Sequence, residues 1–339
     1  MNLSSWILIS FICLLSAPAI PQRLDSLLRK GVDLANRGKF DPALAVFDDV
    51  IAFAPDRPDG YFFKAATYLK LSRDYRNLSF ADKFDSHINK AIRICRDIRK
   101  SGESTGEDLF YYGGAVGLRG IYRTFYADWF GAFKDGMKAK SILEEAFNGD
   151  STDFDIYYGL GEYNYWRAAI TKIPSWPPLL RDRRSEGIGQ LFIAMDRGRF
   201  ARDEAAYALI AVYDNEKDPS SVLSLWNSHL AMTNPSNPYA LYFVGRAKAR
   251  LGLHAEAIAT FETLLELFIR SPYYDPAAEL DVYYHLGLFS LESGNREEAL
   301  RYLTLAKDLS EVMVFRKDIQ EAVDNSKGIY ERALARADK

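Results

Sequence analysis

Small residues recur at a fixed spacing inside apolar segments of this chain. Apolar side chains at three- and four-residue intervals predict amphipathic α-helices, and a Gly or Ala in each helix marks a close approach of a neighbouring helix. In three stretches the small residue of one helix precedes that of the next by twelve positions, as in Gly31 and Ala43, Gly245 and Ala257, and Gly287 and Ala299. The pattern predicts pairs of helices joined by tight turns near both ends of the chain.

The first of these pairs shows how such a unit begins and ends. It runs from about Leu24 to Pro55, and Gly38 lies where the chain must turn between the two helices. Proline has no amide hydrogen to continue a helix, so Pro55 is expected to end the second helix.

An aspartate opens five of the predicted first helices, at Asp25, Asp59, Asp108, Asp155 and Asp281. A carboxylate there is expected to cap the helix and to complement its dipole, with contact to a ligand as the alternative. Two further segments, beginning at Ala205 and Tyr239, fit without the aspartate. We therefore predict seven helical hairpins, followed by a polar helix at about 314–335 that covers the end of the stack.

The three hairpins in the middle of the chain are longer than the others. Their small residues are 26, 25 and 26 positions apart, in Ala65 with Ala91, Gly114 with Ala139, and Gly161 with Gly187. Stacked hairpins place their turns along one edge, so these additions are expected to lie side by side. Two of them are rich in aromatic residues: Tyr122, Phe125, Tyr126, Trp129, Phe130 and Phe133 in one, and Trp166 and Trp176 in the other. An aromatic edge, partly exposed, is therefore predicted.

The repeat pattern resembles the tetratricopeptide-repeat family over most of residues 24–310. The resemblance implies an all-α fold, an α-α superhelical solenoid whose concave groove holds peptides or proteins, and it supplies no catalytic residues. Clean repeats are expected at about 24–57 and 204–310, expanded repeats at about 58–200, and the capping helix at about 314–335. A local likeness over Gly161 to Gly187 to a mitochondrial-outer-membrane tetratricopeptide family assigns no residue a role.

The resemblance also implies which side chains face the groove. The residues three positions after the first residue of these segments include Phe62, Tyr111, Tyr158, Tyr242 and Tyr284. These rings either pack between neighbouring helices or form a surface on which a peptide or a sugar stacks. Together with Phe130, Trp166 and Trp176 of the aromatic edge, they are the candidate partner-binding residues.

The first nineteen residues differ from the rest of the chain. Residues 6–19 carry no charge, the apolar run is short for a membrane span, and Ala17-Pro18-Ala19 is an A-x-A cleavage site. We predict a signal peptide at 1–19, a single solenoid at 20–339, and an extracytoplasmic location, periplasmic or secreted. No Lys or Arg precedes the apolar run, so an uncleaved membrane anchor and a buried helix remain alternatives.

Composition and motifs exclude several classes of function. The 43 basic and 46 acidic residues give a net charge of −3, which argues against nucleic acid as a partner. After cleavage Cys95 is the one remaining cysteine, so an internal disulfide is excluded. His87, His229, His254 and His285 have no metal-site spacing, and no phosphate-binding glycine loop is found. We therefore predict no metal, no cofactor and no enzymatic activity.

A proline-interrupted segment at 173–184 is the most unusual part of the sequence. Pro174, Pro177 and Pro178 forbid a continuous helix. Trp176 beside Arg181 and Arg183 leaves three interpretations open: a loop folded over its own repeat, a peripheral contact with a membrane, or a contact with a partner.

The function favoured by the sequence is an exported, non-catalytic scaffold that binds a protein or peptide in its groove, at its aromatic edge, or at both. A carbohydrate- or cell-wall-binding protein is the alternative, since Asp and Tyr in a groove also suit sugars. A helical-toroid hydrolase with two carboxylates is a third hypothesis. It requires a ring of hairpins that closes on itself, whereas the polar last helix predicts an open, capped stack.

Overall fold

The computed structural model describes residues 20–149, 153–170 and 182–312, together with residues 333 and 335–337. These ranges are helical and contain no β-strand. The predicted signal peptide, Trp176 and most of the predicted capping helix lie outside the described residues. None of the helices in the described ranges has the length and apolar character needed to cross a bilayer.

The described helices form seven successive hairpins, as the sequence predicts. The first three hairpins are α1 (Ile20–Asn36) with α2 (Phe40–Phe53), α3 (Asp59–Tyr75) with α4 (Ala81–Ser101), and α5 (Gly106–Thr124) with α6 (Trp129–Gly149). The next two are α7 (Ile156–Ile170) with α8 (Arg184–Arg197), and α9 (Arg202–Asn215) with α10 (Pro219–Leu225) and α11 (Ala231–Thr233), the last two joined by a π-helical turn. The final two are α12 (Pro238–Arg250) with α13 (His254–Arg270), and α14 (Pro276–Glu292) with α15 (Arg296–Val312).

Glycines lie at the helix crossings of the clean hairpins. A Cβ atom added to Gly245 would come within 2.4 Å of the Phe261 ring, and one added to Gly287 within 2.5 Å of Leu303 Cγ. Each glycine thus leaves room for a large side chain of the partner helix. The prediction that Gly245 and Gly287 lie at helix crossings is confirmed.

Two of the three long hairpins have a lengthened second helix, whereas the described residues of the third give α7 15 residues and α8 14. Helices α4 and α6 each have 21 residues, against 14 in α2. Much of the added aromatic surface is core: the Tyr122 ring is buried and stacks on Phe84, with their centroids 4.0 Å apart. The predicted aromatic edge is therefore reduced at this hairpin to Trp129 and Phe130, which remain exposed.

The two ends of the solenoid touch each other. Phe40 at the start of α2 packs edge-on against Tyr273 in the α13–α14 loop, with ring centroids 5.6 Å apart, and Tyr75 lies 5.4 Å from the same ring. The Arg76 guanidinium forms an ion pair of 2.9 Å with Asp281 of α14. These contacts join the first two hairpins to the last two across the superhelix, and the polarity of the last helix gave no indication of them.

Helix α3 lies at the centre of this arrangement. It packs against α1, α4 and α5 of its own half and against α12 of the other half. Its buried residues include the polar Thr67, Lys70, Ser72 and Asp74. Lys70 donates to Asn36 of α1 and to Glu204 of α9, and Asp74 accepts a hydrogen bond from Asn237 just before α12. Helix α3 therefore joins distant hairpins through polar as well as apolar contacts.

Candidate functional site

Charged and phenolic side chains meet on the inner side of the solenoid. Arg73 of α3 is their centre: its Nη1 donates to Glu204 Oε2 of α9 at 2.8 Å and its Nε to Asp74 Oδ1 at 2.8 Å. The same guanidinium lies 4.4 Å from the centroid of the Tyr239 ring of α12, a cation–π distance. Three first helices of different hairpins are thereby joined through one side chain.

Glu204 is held by two cations. Lys70 Nζ donates to the second oxygen of its carboxylate and also lies 4.4 Å from the centroid of the Tyr207 ring. Burial by itself would raise the pKa of Glu204, but the fields of Arg73 and Lys70 outweigh it and lower that pKa to about 2. Glu204 is therefore a permanent anion at any physiological pH.

Glu162 of α7 lies near Arg73, but its carboxyl group has a different protonation behaviour from that of Glu204. Burial raises the pKa of its carboxyl group to about 7, although a hydrogen bond from Trp166 and the charge of Arg73 oppose the rise. Among the described residues, neither its Oε1 nor the Nη2 of Arg73 has a hydrogen-bond partner, and both atoms are buried. Glu162 Oε1 can accept a hydrogen bond when the carboxyl group is ionised and can donate one when it is protonated. Arg73 Nη2 can donate one, so both atoms are available to a ligand.

A second group of charges continues along the same side. Arg76 lies 4.7 Å from the centroid of the Tyr242 ring and pairs with Asp281. Burial would raise the pKa of Asp281, but Arg76 and His285 hold it well below its usual range. We call the whole set the inner cluster, defined as Arg73, Arg76, Tyr158, Glu162, Glu204, Tyr239, Tyr242 and Asp281.

The structure separates the five groove candidates into different environments. Tyr158 and Tyr242 belong to the inner cluster, where burial raises the pKa of both phenols. Phe62 and Tyr111 are buried, with centroids 5.4 Å apart, and Tyr111 is only 1% exposed. Packing accounts for that pair, since a partner would not reach either ring. Tyr284 is half-buried beside His285.

The candidates of the aromatic edge also differ from one another. Phe130 is 77% exposed. Trp166 is half-buried, with its ring edge-on to Tyr165 at 4.9 Å, and it hydrogen-bonds to Glu162. Trp166 therefore supports the inner cluster, and Trp176 lies outside the described residues.

The opening aspartates have more varied roles than capping. Asp108 forms the predicted cap, in a capping box where its N–H donates to Thr105 Oγ1 at 3.2 Å and its carboxylate accepts the N–H of Thr105 at 2.9 Å. The capping prediction is wrong for Asp281, which lies within α14, where Asp275 is the cap. It is also wrong for Asp155, whose carboxylate accepts backbone N–H groups of Arg199, Phe200 and Ala201 in the α8–α9 turn.

The sequence interpretation missed the two arginines of the inner cluster and Lys70 beside them. Lys70 and Arg73 lie in α3 and Arg76 directly follows it, and the buried residues of α3 are spread around its whole circumference. A helix that is apolar all round is usually buried on all sides, so charges in α3 were a signal for internal ion pairs. In the described ranges, no three His, Cys, Asp or Glu side chains are placed to hold a metal.

Comparisons with known proteins support the fold. No protein-family model matches the chain, and the comparison with curated proteins found no relative. The crystal structure of a Rap protein complexed with competence and sporulation factor aligns with 94% of this chain and 98% of its own, with a TM-score of 0.50 and 15% identity.

Two solved tetratricopeptide-repeat proteins are also similar to the chain. The C-terminal part of a repeat-containing protein of Cytophaga hutchinsonii covers 86% of this chain and 98% of its own, at 16% identity and a TM-score of 0.42. YrrB, described as having an unusual peptide-binding site, covers 64% and 92%, at 19% identity and a TM-score of 0.44. The described residues have the helical-repeat fold of tetratricopeptide-repeat proteins.

Proposed function

We propose that this protein is a non-catalytic scaffold that binds a peptide or protein segment on the inner side of its solenoid. One observation supports this most directly. Glu162 Oε1 and Arg73 Nη2 are buried without partners among the described residues, in a cluster whose other charged groups are paired. Open hydrogen-bonding atoms in a buried place are costly, and a bound ligand would satisfy them.

The chemistry of the cluster suits a polypeptide. A backbone amide or a carboxamide side chain offers one donor and one acceptor, which complement Glu162 and Arg73. The phenol rings of Tyr158, Tyr239 and Tyr242 add apolar area with polar tips, as partner-binding surfaces often do. The cluster contains two arginines and three carboxyl groups, one of them with a pKa near 7, so a strongly charged ligand is not favoured.

A catalytic pair of carboxylates is a weaker interpretation of the same residues. Glu162 and Glu204 have pKa values on opposite sides of their ordinary value, a pattern found in acid–base pairs. Glu204, however, hydrogen-bonds to both Lys70 and Arg73. A carboxylate held by two cations is a poor base and a poor nucleophile, so we favour binding.

The proposal is tested by substitutions that remove the hydroxyl group of Tyr242 and the carboxyl group of Glu162 and keep side chains of similar size. The double variant Tyr242→Phe, Glu162→Leu should capture its partner from envelope extract about tenfold more weakly, because it removes two hydrogen-bonding groups that each contribute about 0.5–1.5 kcal/mol. The matched control is Phe192→Ser, an exposed position on α8, which should leave capture unchanged. Equal capture by both variants, at equal thermal stability, would refute inner-side binding.

Export is the second part of the proposal. Residues 1–19 would direct the chain out of the cytoplasm and be removed after Ala19, at the A-x-A sequence Ala17-Pro18-Ala19. Intact-mass measurement of the exported protein should give a chain starting at or near Ile20. A species that retains Met1 and stays with the membrane after carbonate washing would indicate an anchor instead.

A further inference from the structure

The tip of the α5–α6 hairpin exposes large apolar side chains. Trp129 is 52% exposed, Phe130 77% and Met137 44%. They lie at the start of α6 and two turns further along, so they occupy neighbouring positions on the outer part of one helix. In a chain that buries most of its aromatic rings, this local exposure requires an explanation.

The tip is held in one conformation by its own turn. Ala127 adopts a left-handed φ of 55°, and Asp128 Oδ1 accepts the N–H of Gly131 at 2.9 Å at the start of α6. Arg123 Nη1 pairs with the same carboxylate at 2.8 Å. Trp129 and Phe130 therefore protrude from a fixed turn, which lowers the entropic cost of inserting them into a partner.

Two basic side chains lie beside the exposed apolar ones. Lys134 and Lys138 are exposed on the same helix, one turn from Phe130 and beside Met137. The acidic groups of the hairpin tip are paired: Asp135 accepts two hydrogen bonds from Arg119, and Asp128 pairs with Arg123. The two lysines therefore place positive charge directly beside the protruding apolar side chains.

We propose that this tip docks on the surface of an anionic phospholipid membrane. Trp129, Phe130 and Met137 would insert among the headgroups and upper acyl chains, while Lys134 and Lys138 contact anionic headgroups. A protruding tip of three apolar side chains is small for a stable protein interface, which buries about 1,000 Å² or more. A membrane interface, in contrast, stabilises each inserted aromatic side chain separately.

Vesicle co-sedimentation tests the proposal. The protein should bind vesicles containing phosphatidylglycerol more tightly than vesicles of phosphatidylcholine alone. Trp129→Ser with Phe130→Ser should lower the affinity by about tenfold or more, and Lys134→Glu with Lys138→Glu should remove the preference for phosphatidylglycerol. Every variant has the same N terminus, so any contribution of residues 1–19 is common to all.

Met232→Ser is the control, because Met232 is 74% exposed elsewhere on the chain and its loss should leave vesicle binding unchanged. Thermal unfolding of each variant checks that exposed substitutions have not altered the fold. Equal binding to neutral and anionic vesicles, or unchanged binding by the double serine variant, would overturn the proposal. Loss of a protein from envelope pull-downs with vesicle binding intact would assign the tip to a protein partner instead. None of these results bears on the inner cluster.

Discussion

Gly187→Ala should lower the free energy of unfolding by about 2–3 kcal/mol, although it adds only one methyl group. Gly187 of α8 and Gly161 of α7 face each other where the two helices cross. The added Cβ would lie 2.7 Å from the backbone nitrogen of Tyr165 and 2.8 Å from the carbonyl oxygen of Gly161. Backbone atoms cannot rotate away as a side chain can, so the two helices would have to separate.

Gly189→Ala is the matched control in the same helix. An added Cβ at Gly189 meets no atom within 4 Å, and alanine is a better helix former than glycine by about 0.5–1 kcal/mol. This variant should therefore be slightly more stable than the wild type. Denaturant unfolding followed by circular dichroism measures both changes. Equal effects of the two substitutions would contradict the α7–α8 crossing.

Glu204→Gln is expected to cost about 2 kcal/mol at neutral pH, because it leaves Lys70 and Arg73 without their shared carboxylate. The folded pKa of Glu204, about 2, lies below the unfolded value of about 4.3. Its contribution to stability is therefore fully present above about pH 4.3 and is lost as the pH falls toward about 2. The variant should lose less stability than the wild type over that acidic range.

Glu162→Gln is the paired substitution and should act in the opposite direction. The folded pKa of Glu162, about 7, lies above the unfolded value of about 4.3, so the folded state holds the extra proton between these values. Wild-type stability should therefore fall as the pH rises through this window. Above it the variant should be more stable by about 3–4 kcal/mol, since the folded and unfolded pKa values differ by about 2.7 and each unit corresponds to about 1.4 kcal/mol.

Thermal unfolding at a series of pH values measures both effects. The charges near Glu162 are those of Arg73 and Glu204, and neither titrates between about pH 5 and 8. Histidines do titrate there, and burial lowers the pKa of His87, so the contribution of Glu162 is the difference between the slopes of the wild type and of Glu162→Gln. If Glu162→Gln and Glu204→Gln shift stability in the same direction at neutral pH, the two carboxyl groups do not have the opposed environments described above.

The repeat itself could be predicted because its determinants are local. The spacing of Gly245 from Ala257, or of Gly287 from Ala299, follows from the geometry of one hairpin and needs no knowledge of distant residues. The same holds for one long hairpin, where a Cβ added to Gly161 would lie 2.9 Å from the carbonyl oxygen of Gly187. The predicted pair of Gly114 with Ala139 is wrong, because Ala139 faces Gly117 while Gly114 faces Phe62 of α3. The spacing of small residues within single hairpins was therefore sufficient to predict the fold class.

The candidate site was less predictable, because the five groove positions are equivalent in sequence and different in space. Tyr111 and Tyr158 occupy the same place in their repeats, yet Tyr111 is packed against Phe62 and Phe63 while Tyr158 lies beside Glu162 and Arg73. What distinguishes them is which residues of other hairpins lie opposite: Phe62 and Phe63 of α3 for Tyr111, and Arg73 of α3 for Tyr158. Those neighbours come from other repeats, so the sequence of a single repeat does not contain them.

The sequence by itself thus determined the helical hairpins, their number in the described ranges, and the glycines at their crossings. Only the tertiary structure decided that the ends meet through Phe40, Tyr75 and Tyr273, and that α3 brings Lys70 and Arg73 to Glu204. The physical reason is the range of the interactions: a helix crossing depends on residues about twelve to 26 positions apart, whereas these contacts join residues more than 100 positions apart in the chain.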